Sequence, residues 1–224
     1  MTALRTPLLA IALFNLATTA IAADIPFHKL AVIHNLANRD YNGFAYGTVV
    51  HDQKTSKFIF NTVGGQNVFF GEWADTKATA PQNGKVFYNG PTNNIELPTK
   101  DISYTVNGVN NGQPLSGTLD FSAQQQTLKG DLMKKSITDK SLTFKIDTHI
   151  DRVSRTFKGE ASAYETTRRG TGTAIAYETG ALLGKGEVIG QFFNGSEASL
   201  AGVATFENPN YDIAFGGIDK IATQ

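Results

Sequence analysis

The chain has 224 residues, a formal net charge of zero and no cysteine. The missing cysteine excludes a disulfide framework, a zinc–thiolate site, a cysteine nucleophile and a lipidated N-terminal Cys. Balanced charge with no polybasic run makes nucleic acid and anionic membrane surfaces poor partners.

The chain opens with an address. Arg5 is the only charge before Asp24, Leu8 to Leu16 is largely apolar, and Ala20-Ile21-Ala22 supplies a small-residue cleavage site. This pattern predicts a secretory signal peptide over residues 1–22. The apolar run is too short for a membrane span, which takes about 20 residues. The mature chain is expected to start at Ala23 and to be released into the extracellular medium as a monomer without a membrane anchor. A chain of about 200 residues buries roughly 70% of its unfolded surface, enough for one or two modest cores.

Residues 23–99 are rich in aromatics and hold the only tryptophan, Trp73, and three of the four histidines. Leu30 to Ala37 fits either a short helix or a strand face. Phe44 to Val50 and Phe58 to Asn61 read as strands joined by an Asp52–Lys57 turn, and Asn67 to Gly71 and Lys85 to Tyr88 as two more. Pro91 to Pro98 is polar, with two prolines and two asparagines, and is the expected linker.

Residues 100–224 read as short alternating strands: 102–109, 115–121, 126–133, 141–150, 156–164, 171–178, 186–193, 199–206 and 211–219. Asn-Gly, Gly-Gln-Pro, Thr-Asp-Lys and Asn-Pro-Asn turns between them predict an antiparallel meander. Alternation assigns inward faces to Leu128-Gly130-Leu132, Leu142-Phe144-Ile146, Phe157-Gly159-Ala161, Val188-Gly190-Phe192 and Leu200-Gly202-Ala204-Phe206. Large residues alternating with glycine fill a narrow eight-stranded barrel, whose axis has no room for a large side chain at every level. An open sandwich would share the alternation. Nine segments for eight strands imply that one is a bend or a long hairpin arm. The predicted class is all-β: a small N-terminal β-rich ligand-binding domain (23–99) followed by an eight-stranded up-and-down barrel (100–224).

Enzyme signatures are missing: the sequence holds no Gly-x-Ser-x-Gly, His-Glu-x-x-His, P-loop or dinucleotide fingerprint. Asp147, His149 and Asp151 form a possible acid–base or metal cluster. However, alternation puts them opposite Phe144 and Ile146, outside the barrel, where a solvated strand face is the simpler account. The chain reads as a non-enzyme.

The remaining histidines lie among the N-terminal aromatics. Haem needs a flat apolar slot, a neutral imidazole for its iron and cationic donors for its propionates. Phe27, Phe44, Tyr46, Phe69, Phe70 and Trp73 are candidates for the slot. Arg39, Lys29, Lys54 or Lys57 are candidates for the propionates; for the axial position His51 and His34 come together, as a pair if opposed across a sheet, and then His28. Tyr41 or Tyr46 is a substitute ligand. Composition alone fits a small ordinary core with three surface histidines better than a haem slot. The stretches 52–57 and 74–85 are candidate lids.

A resemblance adds to this reading. Gly190-x-Phe192-Phe193-x-Gly195, then Leu200-Ala201-Gly202-Val203 and Ala214-Phe215-Gly216-Gly217, resembles the closing strands of the transferrin-binding-protein-like barrel. Leu115 to Phe121 followed by Gln126 to Gly130 looks like its first hairpin. With one barrel and no lipobox Cys, the chain is more similar to the hemophilins, secreted haem-binding proteins with an N-terminal haem domain. Asn67 to Trp73 resembles that domain. The resemblance implies non-covalent haem b, capture of haem from free haem or haemoglobin, export by a Slam-type outer-membrane exporter that reads the barrel, and delivery to a TonB-dependent receptor. It also implies that residues 190–217 serve the barrel and do not touch the ligand. The competing class is a secreted barrel adhesin or host-factor-binding protein without haem. A lipid carrier with a hollow barrel is disfavoured by the large inward residues.

Overall fold

The computed structural model describes residues 38–39, 45–51, 54–63, 68–75, 82–89, 94–135, 140–170, 175–194 and 198–219. Eight strands follow one another around a barrel: β7 (Ile102–Asn110), β8 (Gln113–Ser122), β9 (Thr127–Lys134), β10 (Lys140–Asp151), β11 (Thr156–Arg169), β12 (Ala176–Asn194), β13 (Ala198–Phe206) and β14 (Ile213–Asp219). Each is antiparallel to the next, and β14 closes on β7 from Ala214↔Val109 to Asp219↔Tyr104. The closed barrel, and not the open sandwich, is therefore the fold.

The inward residues are those that alternation assigns. Leu128, Leu132, Phe144, Ile146, Phe157, Ala161, Val188, Phe192, Leu200, Ala204 and Phe206 belong to one buried core with Tyr104, Leu119, Phe121 and Phe215. Phe192 sits at its centre, edge-on to Phe157 at 5.2 Å and to Phe121 at 5.4 Å between ring centroids. Glycine makes room for these rings. A Cβ at Gly190 would collide with the Phe157 ring and with the carbonyl of Ala201. An interior filled this way suits a packed core and not a hollow carrier.

Turn chemistry is local and legible. Asn111 and Gly112 take φ of 51° and 73° between β7 and β8, the two-residue hairpin that Asn-Gly favours. Nearby, buried Asn110 donates through Nδ2 to the carbonyls of Asn210 and Asp212 at 2.9 Å each. It thereby ties the 3-10 turn Pro209–Tyr211 to the rim of the barrel.

Two expectations need adjustment. Residues 176–178 of the expected segment 171–178 and all of 186–193 belong to a single 19-residue strand, β12, so the ninth segment is the long hairpin arm, while 171–174 lie outside the described residues. Gly180, Gly184 and Gly186 look like breaks in sequence, yet the ladder to β11 absorbs irregularity as bulges beside Tyr164. The expected linker also carries a short strand, β6 (Asn94–Ile95), which pairs with Asn194 and Phe193 of β12.

A second sheet precedes the barrel, in the order β1 (Asn38–Arg39), β2 (Ala45–His51), β3 (Lys54–Thr62), β4 (Val68–Asp75) and β5 (Gln82–Asn89). Its strands are all antiparallel neighbours. Pairing runs to His51↔Lys54 and to Asp75↔Gln82, so much of the expected lids at 52–57 and 74–85 is strand. The sheet packs on the outside of the barrel. Val63 and Phe70 share a second buried cluster with Val109, Phe193, Ala201 and Ala214, all on the outward faces of β7, β12, β13 and β14. The described residues contain no α-helix, and no helix among them is long and apolar enough to cross a membrane.

Candidate functional site

Residues alternate between the two faces of a strand, and register carries each face across the sheet. Phe70 is 1% exposed and Glu72 9% exposed, both on the barrel side. Pairing of Asn61 with Phe70 and of Ile59 with Glu72 puts those β3 positions on the same side, in line with the burial of Val63. Tyr46 pairs with Ile59, and Phe87 with Phe70, so these positions share that face too.

The other face collects the remaining positions in rows. One row reads Gly47, Phe58, Trp73, Gly84; the next reads Arg39, Ala45, Phe60, Gly71, Val86; a third reads Thr62, Phe69, Tyr88. His51 and Lys54 pair at the end of β2 and β3 on this same face. Five aromatic positions on adjoining strands thus share one face with three glycine positions, with Arg39 at the β1 edge and His51 at the end of β2.

Register therefore brings Arg39, His51, Phe69 and Trp73 onto one face, whereas Tyr46 and Phe70 fall on the other. Phe70 is packed against the barrel. His28, His34 and Phe44 lie outside the described residues, as do Phe27, Lys29 and Tyr41. Lys57 falls on the barrel-side face, opposite Ala74 and Thr48. Phe58, Phe60 and Tyr88 were not among the site candidates. The Phe58-x-Phe60 alternation was the signal for the first two, but it acquires meaning only once Gly47, Trp73 and Gly71 are known to pair with them.

The chemistry matches a planar, apolar, anionic ligand. Aromatic residue types suit flat ring systems, a guanidinium pairs with carboxylate, and neutral imidazole is a ligand for iron. These are the groups haem needs.

Asp147 and His149 are exposed on the outside of β10, and Asp147 pairs with Lys129 at 3.0 Å. Asp151 accepts from the amides of Val153 and Ser154 at 2.9 and 3.2 Å. Its carboxyl is held below the ordinary value by the Ser154 hydroxyl first and by these amides after it. No group of three or more His, Cys, Asp or Glu among the described residues is arranged to hold a metal ion.

Comparison with known proteins gives two findings. The family model described as "HphA C-terminal domain" matches residues 95–219, more than half of the chain. Among solved structures, the one described as "The Structure of Intact Ap-TbpB (N and C lobes)" aligns at 16% identity with a TM-score of 0.46. The alignment covers 78% of this chain and 38% of that one, so this chain spans well under half of that protein's length.

Proposed function

We propose that this chain, which belongs to the HphA C-terminal domain family, is a secreted haem-binding protein that captures haem and hands it to an outer-membrane receptor. The observation that carries the reading is the single sheet face on which Arg39, His51, Phe69 and Trp73 come together with Phe58, Phe60 and Tyr88. The hemophilin resemblance of the sequence supports it.

Haem b would supply an iron centre that an imidazole nitrogen could hold. His51 is the first candidate for that role, with His34 and His28 as the others. Trp73, Phe69, Phe58 and Phe60 would exclude water from the macrocycle, and Arg39 would hold a propionate. Phe70 acts one layer below, as packing that supports β4. Phe44 and Tyr46 remain candidates for the slot's border. Haem is held without covalent attachment and without a catalytic step, so the protein is a carrier and not an enzyme. The barrel serves export through a Slam-type exporter and display to a TonB-dependent receptor. The protein acts as a monomer outside a Gram-negative cell, with haemoglobin as a source of haem.

Titration of the purified protein with hemin tests this reading. A sharp Soret band saturating at about one equivalent is expected, as is a shifted or weakened band in His51→Ala. An unchanged spectrum and affinity in that variant would remove His51 from the ligand set. Broad, unsaturable absorbance in the wild-type protein would favour the adhesin without haem.

A further inference from the structure

The junction between sheet and barrel contains a buried carboxylate. Glu72 stands two residues beyond Phe70 on the barrel-facing side of β4 and is nearly as enclosed. Its Oε1 accepts from the amide of Asn111 at 2.6 Å and its Oε2 from the amide of Gly112 at 2.7 Å. These consecutive amides converge because both turn residues have positive φ, which builds a small anion-binding concavity from backbone alone. The β7–β8 hairpin and the N-terminal sheet are thus joined by a bidentate, charge-assisted clasp 39 and 40 residues apart in sequence.

Packing economy does not explain a carboxylate here. An apolar residue would cover the barrel at lower desolvation cost, while a buried charge is tolerated only with good partners and is best attested as a device that specifies register. Apolar contact is non-directional. Val63 and Phe70 over Ala201, Ala214 and Gly216 constrain the sheet by fit alone, without specifying a hydrogen-bonded register. Glu72 specifies one, because a shift of β4 by two residues carries the carboxylate about 7 Å from the concavity.

We propose that Glu72 is a positioning residue for the ligand face. It locks β4 in one register on the barrel and so holds positions 69 and 73, on the other side of the same strand, in the plane the ligand meets. Glu72 itself does not touch the ligand. The proposal rests on the haem reading above and deepens it.

Two measurements on the full mature chain test it, with variants E72A, E72Q and E72D. The first is amide hydrogen exchange in the ligand-free protein. Asn111 and Gly112 are expected to exchange at least about tenfold faster in E72A, the size of effect expected for losing a charge-assisted hydrogen bond, with protection inside β9 and β10 unchanged. The second is hemin titration. E72A is expected to bind about tenfold more weakly with a broadened Soret band. E72Q, which keeps length and one acceptor, should recover part of the affinity, and E72D, which keeps charge but is one methylene short, should recover less.

Faster exchange with unaltered hemin affinity and spectrum in all three variants would overturn the positioning role. Unchanged exchange in a protein that binds hemin would overturn the clasp itself. Failure of the wild-type protein to bind hemin would overturn the haem reading and, with it, the ligand half of this proposal. Should E72A fail to fold, the isosteric E72Q and the E72D pair still decide between the outcomes.

Discussion

Tyr104 is fully buried inside the barrel, and its hydroxyl is the only buried side-chain polar atom among the described residues without a hydrogen-bond partner. Burial first, and the Asp219 carboxylate second, push its phenol well above the ordinary value. A phenol harder to ionise in the folded state contributes stability that is present below about pH 10, its unfolded value, and is lost as pH rises toward the folded value. Tyr104→Phe removes an unpaired hydroxyl and keeps the ring beside Phe192. It is expected to stabilise the fold by about 1 kcal/mol and to flatten the loss of stability above pH 10, both read by urea unfolding across pH. A fall in stability at neutral pH would show that the hydroxyl has a partner in solution. Asp151 gives the opposite sign. Its depressed carboxyl favours the β10–β11 turn above the unfolded value, and that contribution disappears as pH falls through the folded one.

At the scale of elements, β4 and β14 meet through a glycine. A Cβ on Gly216 would lie 2.5 Å from Val63 Cγ2 and 2.6 Å from Phe70 Cδ1, closer than packed atoms tolerate. Gly216→Val is expected to cost about 1–3 kcal/mol by overpacking while leaving the inward face of β14 intact, so thermal melts should shift and the barrel's circular dichroism should persist. A melt like that of the wild type would mean that the sheet does not rest on this strand. The β11–β12 arm is a different case. Among the described residues the ladder continues beyond Thr167↔Glu178 as Arg168↔Tyr177 and Arg169↔Ala176, past the last pair of β10 with β11. Ile175, Leu182 and Leu183 are exposed along it. Joining Arg168 to Tyr177 by a two-residue turn should therefore change the melting temperature by no more than a degree or two, and a large drop would assign the arm a share in the core.

The molecule is built on an asymmetric dependence. The principal core draws all its residues from Leu97 to Phe215, and closure of β14 on β7 leaves the barrel without a free edge. A fragment of residues 94–219 is expected to fold alone with native-like circular dichroism. It should nevertheless bind a hydrophobic dye or self-associate, because Val109, Phe193, Ala201 and Ala214 lose the cover of Val63 and Phe70. Absence of both would show the patch to be too small to matter. The sheet of residues 38–89, in contrast, needs the barrel to cover Phe70 and Glu72, so the proposed haem face and the barrel are one working unit.

How much of this is legible without coordinates depends on whether the signal is local. Strand positions in 102–219, their inward residues and the Asn111-Gly112 turn follow from period-two alternation and turn chemistry, which reside within a few residues of chain. The 19-residue β12 is less legible because its internal glycines imitate breaks. In the N-terminal sheet the strands were readable, but the face shared by Arg39, His51, Phe69 and Trp73 depends on register between strands, which no single segment encodes. By itself, then, the sequence determined a run of alternating strands with a packed inner face and aromatic, histidine-bearing strands ahead of it, while closure of the barrel rests on the pairing of β14 with β7. Only the tertiary structure decided that the outward side of residues 193–216 carries that sheet and that Glu72 clasps it. Alternation separates inside from outside, but it cannot tell an outward residue in water from one covered by a distant part of the chain.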